Sequence, residues 1–194
     1  MSFQFIFSNF SFFVNISDIS VVFQNNLIKG IAMVNKVAWI TGAGSGIGEA
    51  SAIKLASEGF SVVLSGRTKE TLDMVASKCK GQVSVKALDV SNYEDVKVVF
   101  EDIISDYGRV DVLVASAGLN AKNRNWHNVS EKDFDQIIKI DLNGVFYTNR
   151  LVLEKMKEQR EGLIINVSSW AGKYVTTLTG PAYTCLLYTS DAAD

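Results

Sequence analysis

Between residues 36 and 167, short apolar runs alternate with stretches whose apolar residues recur at helical spacing. The apolar runs predict five strands, at 37–41, 61–65, 83–88, 110–114 and 163–167. The helical spacing predicts four helices, at about 46–58, 68–78, 94–107 and 131–159. Strands that alternate with helices indicate an α/β fold, a doubly wound parallel sheet with right-handed crossovers.

Polar residues cluster directly after each predicted strand. The clusters are Gly42–Gly48, Ser65–Arg67, Asp89–Val90, Ser116–Gly118 and Ser168–Ser169. Parallel strands bring their carboxyl ends to one edge of the sheet, which is where such folds bind ligands. We therefore expect these clusters to form one ligand site.

The first cluster lies between a strand and a helix and reads TGAGSGIG. Glycines let the backbone turn sharply and approach a pyrophosphate, and the N–H groups at the start of the helix receive its charge. Glycine-rich turns also serve as plain connections, but the flanking strand and helix favour a phosphate site. The predicted contacts are Gly42, Ser45, Gly46, Ile47 and Gly48.

Composition narrows the function classes. A chain of 194 residues with 47% hydrophobic content can bury one core, and its net charge of −2 gives no basic surface for nucleic acid or an anionic membrane. No apolar run reaches the roughly 18 residues of a membrane span. Cys79 and Cys185 have no metal-ligand or disulfide spacing, and His127 is the single histidine. We expect no metal site and a cytoplasmic location.

Several motifs in order make residues 33–184 resemble the short-chain dehydrogenase/reductase family. The motifs are Thr41–Gly48, Asp89–Val90, Ala115–Gly118, Asp141–Gly144, Ser169 and Tyr183. The resemblance implies a Rossmann-like NAD(P)-binding domain that transfers a hydride between the cofactor and an alcohol or carbonyl substrate. Ser116, Ala117 and Gly118 would contact the cofactor.

The resemblance also implies roles for Ser169 and Tyr183, fourteen residues apart. Ser169 would hold the substrate oxygen and Tyr183 would exchange its proton. A tyrosine with a pKa of about 10 needs a nearby cation to act as a base at neutral pH. The family places a lysine four residues after the tyrosine, but Leu187 stands there in this chain.

Asp141 stands where the family has an asparagine that organises a proton relay. We assign it to the catalytic group, although an ionised carboxylate accepts hydrogen bonds and cannot donate them. Ser116 replaces the second asparagine of an Asn-Asn-Ala-Gly motif, a shorter polar group that the site can accommodate.

Cofactor choice depends on the end of the second strand, where NAD enzymes of the family carry an acid. Gly66 occupies that place and Arg67 follows. A guanidinium suits a phosphate, so the sequence favours NADP, with NAD as the alternative. Asp89 and Val90 would lie at the adenine.

The two ends of the chain differ from this pattern. Residues 1–32 are rich in Phe, Ser and Asn and predict no regular element. We interpret them as non-native or disordered, with Met33 as the natural start. Residues 185–194 read like a translated sequencing adapter and do not continue the expected helix, so we expect an artefact there and a truncated domain; a genuine divergent terminus is the alternative.

The sequence therefore predicts an NADP-preferring oxidoreductase that is inactive as this chain stands, from a homo-oligomeric parent. Trp126 and Trp170 would line an apolar pocket or be buried, and Trp170 and Tyr174 would lie across the mouth of that pocket from the loop that carries Trp126. The alternatives are a non-catalytic NAD(P)-binding or redox-sensing module, in which Leu187 and Asp141 are genuine, and a methyltransferase, which Gly66 and Arg67 disfavour.

Overall fold

The computed structural model describes residues 2–7, 10–15, 36–122, 124–169 and 180–190. Its strands are β1 (Ser2–Phe7), β2 (Phe10–Asn15), β3 (Val37–Thr41), β4 (Ser61–Gly66), β5 (Val83–Ala87), β6 (Val112–Ala115) and β7 (Leu163–Val167). Its α-helices are α1 (Gly46–Ser57), α2 (Lys69–Ala76), α3 (Tyr93–Tyr107), α4 (Glu131–Ile137), α5 (Gly144–Gln159) and α6 (Pro181–Ser190).

The strands form one sheet in the order β2-β1-β7-β6-β3-β4-β5. The five strands from β3 to β7 are parallel, which confirms the predicted α/β class. After β5 the chain crosses back and adds β6 on the other side of β3, so the direction of strand addition reverses between β3 and β6. Such a reversal opens a crevice at the carboxyl ends of the two strands.

Each face of the sheet carries its own core. Alternate residues of β3 point to opposite faces, so Ala38 and Ile40 pack with α1 and α2, and Val37 and Trp39 pack with α3 and α5. Trp39 is fully buried, and its indole N–H donates to the Ser65 hydroxyl at 2.9 Å. Because helices cover both faces of the sheet, the residues of β3 are apolar on both sides of the strand and do not alternate with polar residues.

The predicted long helix over 131–159 is divided in the structure. Between α4 and α5, residues Ile138–Asn143 form a π-helical turn. The wider turn shifts the side chains that follow it, and π-turns are frequent at functional sites. No proline or glycine interrupts this stretch before Gly144, which is why the apolar spacing alone predicts one helix.

The N-caps of two helices differ in their hydrogen bonds. Asn92 caps α3 by accepting the N–H of Glu94, and the preceding Ser91 donates to Asp89. Thr68 is the N-cap of α2 but makes no side-chain capping bond. The α3 helix ends at Gly108, whose φ of 75° is left-handed.

Both ends of the chain contain elements that the sequence did not predict. β1 and β2 form an antiparallel hairpin, and β1 pairs antiparallel with β7. α6 runs through Ser190 rather than stopping near Cys185, because Leu186 and Leu187 are apolar and buried and no helix breaker follows. The origins of residues 1–32 and 185–194 stay predictions. In the described residues, no helix has the length and apolar character needed to cross a membrane.

A buried charge cluster lies at the amino end of the sheet. Asp111, only 4% exposed, accepts the backbone N–H of Val37 at 2.8 Å and the Arg109 guanidinium. Lys36 lies 3.8 Å from the same carboxylate and also pairs with Glu161. The cluster ties the start of β3 to the start of β6.

We expect Asp111→Ala to lower the free energy of unfolding by about 3–5 kcal/mol, because it leaves the buried N–H of Val37 without its acceptor and removes one of the two carboxylates beside the buried Lys36. Asp106→Ala is the matched control. It removes an exposed ion pair with Lys86 and should cost less than about 1 kcal/mol. Urea unfolding measures the free energy of unfolding of both variants. Equal losses would show that the buried ion pairs of Asp111 stabilise the fold no more than an exposed ion pair does.

Candidate functional site

The backbones that follow β3 and β6 are joined at the crevice. The Ser116 hydroxyl donates to the Thr41 carbonyl at 2.5 Å, and the Ala117 N–H donates to the Thr41 hydroxyl at 3.3 Å. The Ala43 N–H donates to the Ser65 carbonyl at 3.0 Å, which joins the same loop to β4. The loop after β3 is therefore held from both sides.

Glycine is required in this loop for two reasons. Gly42 has φ +64°, and a Cβ there would lie 2.8 Å from the Ala117 backbone; a Cβ on Gly48 would collide with the Gly42 carbonyl. Gly46 has φ +58° but faces open space. The loop is thus packed against the protein on one side and open on the side that faces the crevice.

The crevice forms a cleft of about 440 Å³, within the range of small-molecule sites. All eleven residues predicted to contact the cofactor line it: Gly42, Ser45, Gly46, Ile47, Gly48, Arg67, Asp89, Val90, Ser116, Ala117 and Gly118. Further lining residues, which were not among the predicted cofactor contacts, are Gly44, Gly66, Thr68, Thr71, Leu88, Leu119 and Ile140. Thr68 and Thr71 belong to the start of α2, and only the fold brings them to the loop.

One end of the cleft suits an anion. The N-terminus of α1 opens into it, and Ser45 at the N-cap makes no side-chain capping bond. The first N–H groups of a helix and its dipole favour negative charge. Arg67, exposed at the end of β4, adds a cation beside Thr68 and Thr71.

Asp89, which follows β5, also lines the cleft. Its carboxylate accepts the Ser91 N–H at 3.0 Å and the Ser91 hydroxyl at 2.7 Å. These two bonds fix the turn that places Asp89 and Val90 at the cleft. The Asp89 side chain is therefore held by its own loop, and Val90 presents an apolar surface beside it.

Ser169 and Tyr183 lie together, and neither lines the cleft. The Ser169 hydroxyl hydrogen-bonds to Tyr183 of α6, which lowers the phenol pKa, but burial outweighs this bond, and the pKa of Tyr183 is raised overall. Tyr183 is therefore protonated at neutral pH. It can donate a proton, whereas its use as a base would require a cation.

Asp141 connects this pair to the cleft. It belongs to the π-helical turn, and one carboxyl oxygen accepts the N–H of Leu119 at 2.9 Å, while the carboxyl group faces Gly118. Burial raises the pKa of Asp141 to about 7, against the lowering effect of the Leu119 N–H. Near neutral pH the Asp141 carboxyl group is therefore divided between the ionised form, which only accepts hydrogen bonds, and the protonated form, which can also donate one.

The loop 119–130 places a second charge near Tyr183. The positive charge of Arg124 lowers the pKa of Tyr183, and the Arg124 backbone lies against Gly180 at the start of α6. Trp126 is 73% exposed, so it is neither buried nor enclosed by the described residues. Trp170 and Tyr174 lie outside the described residues.

Among the described residues, no group of three or more His, Cys, Asp or Glu side chains is arranged to hold a metal ion. His127 is exposed, and no role follows for it.

Comparison with known proteins gives a consistent result. The family model described as short chain dehydrogenase matches residues 36–185. The 3-oxoacyl-[acyl-carrier-protein] reductase FabG of Thermotoga maritima is 39% identical over 142 residues, which are 72% of this chain and 57% of that protein. The chain spans about three fifths of the length of the curated relatives it matches.

Two solved structures share the fold. A metagenomic short-chain oxidoreductase in complex with NADP superposes with a TM-score of 0.75 at 32% identity, over 82% of this chain and 73% of that one. An alcohol dehydrogenase from Thermococcus sibiricus complexed with 5-hydroxy-NADP gives a TM-score of 0.74 at 31% identity, over 81% of this chain and 67% of that one.

The Asp141 pKa predicts a loss of stability as pH rises. Unfolded, this carboxyl titrates near 3.8; folded, it titrates near 7. Between these values only the folded state holds the proton, so the free energy of unfolding falls as pH increases. The Asp141 contribution should fall by about 3 kcal/mol between about pH 5 and pH 8.

Urea unfolding of the wild type and of Asp141→Asn at the two pH values measures this loss. The variant keeps the shape of the side chain and cannot ionise, so subtracting its profile removes the contribution of all other carboxyl groups. Parallel profiles for the two proteins would contradict the assigned pKa.

Proposed function

Because the chain belongs to the short-chain dehydrogenase family, we propose that its site transfers a hydride between NADP(H) and an alcohol or carbonyl compound. The observation that carries the proposal is the joining of two sites by Asp141. A dinucleotide-sized cleft lies on one side of it, and a hydrogen-bonded Ser169–Tyr183 pair lies on the other.

The residues of the cleft fit a dinucleotide. The open face of Gly46 and the uncapped N-terminus of α1 would receive the pyrophosphate. Asp89 and Val90 would border the adenine, and Ser116–Gly118 would line the path towards Tyr183. When bound, the nicotinamide supplies the hydride chemistry.

The preference for NADP rests on Arg67. The end of β4 carries Gly66 and Arg67 in place of an acid, so no carboxylate stands there to repel a 2′-phosphate. The Arg67 guanidinium and the Thr68 hydroxyl present donors there. NAD would bind the same cleft without the phosphate contact.

The proton chemistry favours carbonyl reduction. A protonated Tyr183 can donate to the oxygen of a carbonyl group as it gains a hydride, while Ser169 holds that oxygen. The reverse reaction needs Tyr183 as a base. Leu187, one helical turn after Tyr183, supplies no positive charge for that, so this chain as it stands should be inactive or very slow.

A non-catalytic NAD(P)-binding module is the second candidate. It is favoured by one observation, the buried Leu187 in place of a cation. A redox sensor needs the cleft and not the proton donor. The two candidates therefore agree on cofactor binding and differ on turnover.

We also propose a second copy of this chain as a partner. Leu142, Phe146 and Leu153 are each more than 40% exposed and recur at helical spacing along the π-helical turn and α5. Exposed apolar stripes of this kind are typical of association surfaces. Homo-oligomerisation through α5 would cover them.

Arg67→Ala should weaken NADPH binding by about tenfold and leave NADH binding nearly unchanged, because only NADPH carries the 2′-phosphate. Lys69→Ala is the matched control, an exposed lysine two residues away that pairs with Asp73, and both affinities should persist in it. Isothermal titration calorimetry measures the affinity of each protein for NADPH and for NADH. An equal loss for both cofactors in Arg67→Ala would remove the NADP preference.

Leu187→Lys should raise NADPH-dependent reduction of a panel of ketones and aldehydes by about 100-fold, because a cation one helical turn away lowers the pKa of Tyr183. The gain should vanish when Tyr183→Phe is added. Cys185→Lys places the same charge on an exposed position of α6 and should give no gain. Oxidation of NADPH is followed by absorbance, and folding of each variant is checked by thermal unfolding. Tight NADPH binding with no gain in Leu187→Lys would support the non-catalytic module.

A further inference from the structure

The backbone conformation at Gly144 does not require a glycine. This residue lies where the π-helical turn ends and α5 begins, with a φ of −61° and a ψ of −41°, an ordinary right-handed helical conformation. Glycine is a poorer helix former than alanine, because it loses more backbone freedom on folding. The glycine at this position is therefore explained by space and not by conformation.

The space beside Gly144 is occupied by Val90. A Cβ on Gly144 would lie 2.7 Å from Val90 Cγ2, 2.9 Å from Val90 Cβ and 3.1 Å from the Val90 carbonyl oxygen. Rotation about χ1 moves Cγ2 but leaves the Cβ and the carbonyl oxygen in place. A side chain at position 144 would therefore require a shift of the backbone, either at Val90 or in α5.

Val90 contacts α5 and also lines the cleft. It is 6% exposed and belongs to the core on the side of the sheet that α3 and α5 cover. Ile140, from the π-helical turn, belongs to the same core and lines the same cleft. The distance between α5 and Val90 therefore determines the position of this wall of the cleft.

Several contacts hold α5 in place near Gly144. The buried Thr148 hydroxyl donates to the Gly144 carbonyl at 3.0 Å. The Tyr147 ring packs edge-on against Tyr93 of α3, with 5.3 Å between the ring centroids. Further along α5, Val152 is fully buried in the core. A movement of α5 away from Val90 would disturb all of these contacts.

The turn that carries Val90 has open space on one side. Asp89 accepts two hydrogen bonds from Ser91 through its carboxylate, and its carbonyl accepts the N–H of Asn92 at 3.1 Å. These bonds join residues within the turn, so the turn can shift as a unit. Because the core packs against it on the α5 side, a shift under crowding would be directed into the cleft.

We propose that Gly144 is a positioning residue for the cofactor. Its lack of a side chain lets α5 approach Val90 closely, and this approach sets the wall of the cleft that would border the adenine. The inference rests on the proposed function for the identity of the ligand, whereas the effect of Gly144 on the position of Val90 does not. Gly144 does not itself line the cleft and acts through Val90.

Gly144→Ala should weaken the binding of NADPH and of NADH to the full chain by about tenfold each, because the crowded turn moves into the space of the adenine that both contain. Adenosine monophosphate should lose affinity to the same extent. Nicotinamide mononucleotide, which has no adenine, should keep its affinity. Calorimetry measures the dinucleotides and NMR titration the two fragments. Equal losses for both fragments would show a general loss of structure and contradict the inference.

Gly162→Ala is the matched control. A Cβ on Gly162 would collide with the side chain of Met156, so this variant also crowds α5. Gly162 directly precedes β7, at the amino edge of the sheet and away from the cleft. Thermal unfolding checks the fold of both variants. In Gly162→Ala the affinities for all four ligands should stay within about twofold of the wild type, even if its melting temperature falls.

Truncation of Val90 tests the contact itself. Val90→Gly removes two of the three crowded atoms, Cγ2 and Cβ. In that background, addition of Gly144→Ala should lower the NADPH affinity by less than about twofold instead of about tenfold. Val90→Ala removes Cγ2 alone, should give an intermediate loss, and serves if Val90→Gly does not fold. Tenfold losses in every background would show that Gly144 does not act through Val90.

Methyl NMR of the ligand-free full chain reads the position of Val90 directly. With carbon-13 labelled valine methyl groups, and Val90→Ala to assign the signals, we expect the Val90 signals to shift in Gly144→Ala and to stay in place in Gly162→Ala. Unshifted signals overturn the inference, and so does an unchanged NADPH affinity in Gly144→Ala. If the signals shift but the wild type binds no dinucleotide, the proposed function fails and the effect of Gly144 on the cleft wall stands.

Discussion

The arrangement of the cleft depends on the close approach of two backbone segments, the one that follows β3 and the one that follows β6. The chain leaving β3 passes against the chain leaving β6 so tightly that a Cβ on Gly42 would lie 2.8 Å from Ala117. Thr41 holds both segments together through its carbonyl and its hydroxyl. With larger separation, the glycine loop and Ser116–Gly118 would not share a cleft. The glycine at position 42 is therefore a condition of the fold as much as of ligand binding.

The main elements of the fold could be predicted because each is determined by local pattern. β3 and β7 have the predicted bounds, since apolar runs flanked by polar residues mark buried strands in any tertiary context. The division of the predicted long helix could not be found this way. The π-helical turn at Ile138–Asn143 keeps the same apolar spacing as an α-helix and contains no helix breaker. The pairing of β1 with β7 also depends on residues distant in sequence.

The candidate site was predictable to the extent that topology determines it. Polar residues that follow parallel strands must meet at one edge, and the eleven predicted cofactor contacts do line one cleft. Properties that depend on burial were not predictable. Asp141 was assigned from its position in the sequence, but the raised pKa of its carboxyl group follows from partial burial in the folded chain. The influence of Arg124 on Tyr183 likewise requires the loop to be in place.

The pairing of β1 with β7 has a consequence for how the chain folds. β3, β4 and β5 follow one another along the chain, whereas the residues of β1 find their partners near the far end. Closing a long loop costs more chain entropy than closing a short one, so local pairs form early and distant pairs late. β7 is consequently an open sheet edge until β1 docks. An open edge is a template for strands of other molecules, and this interval is when the folding chain is most vulnerable to aggregation.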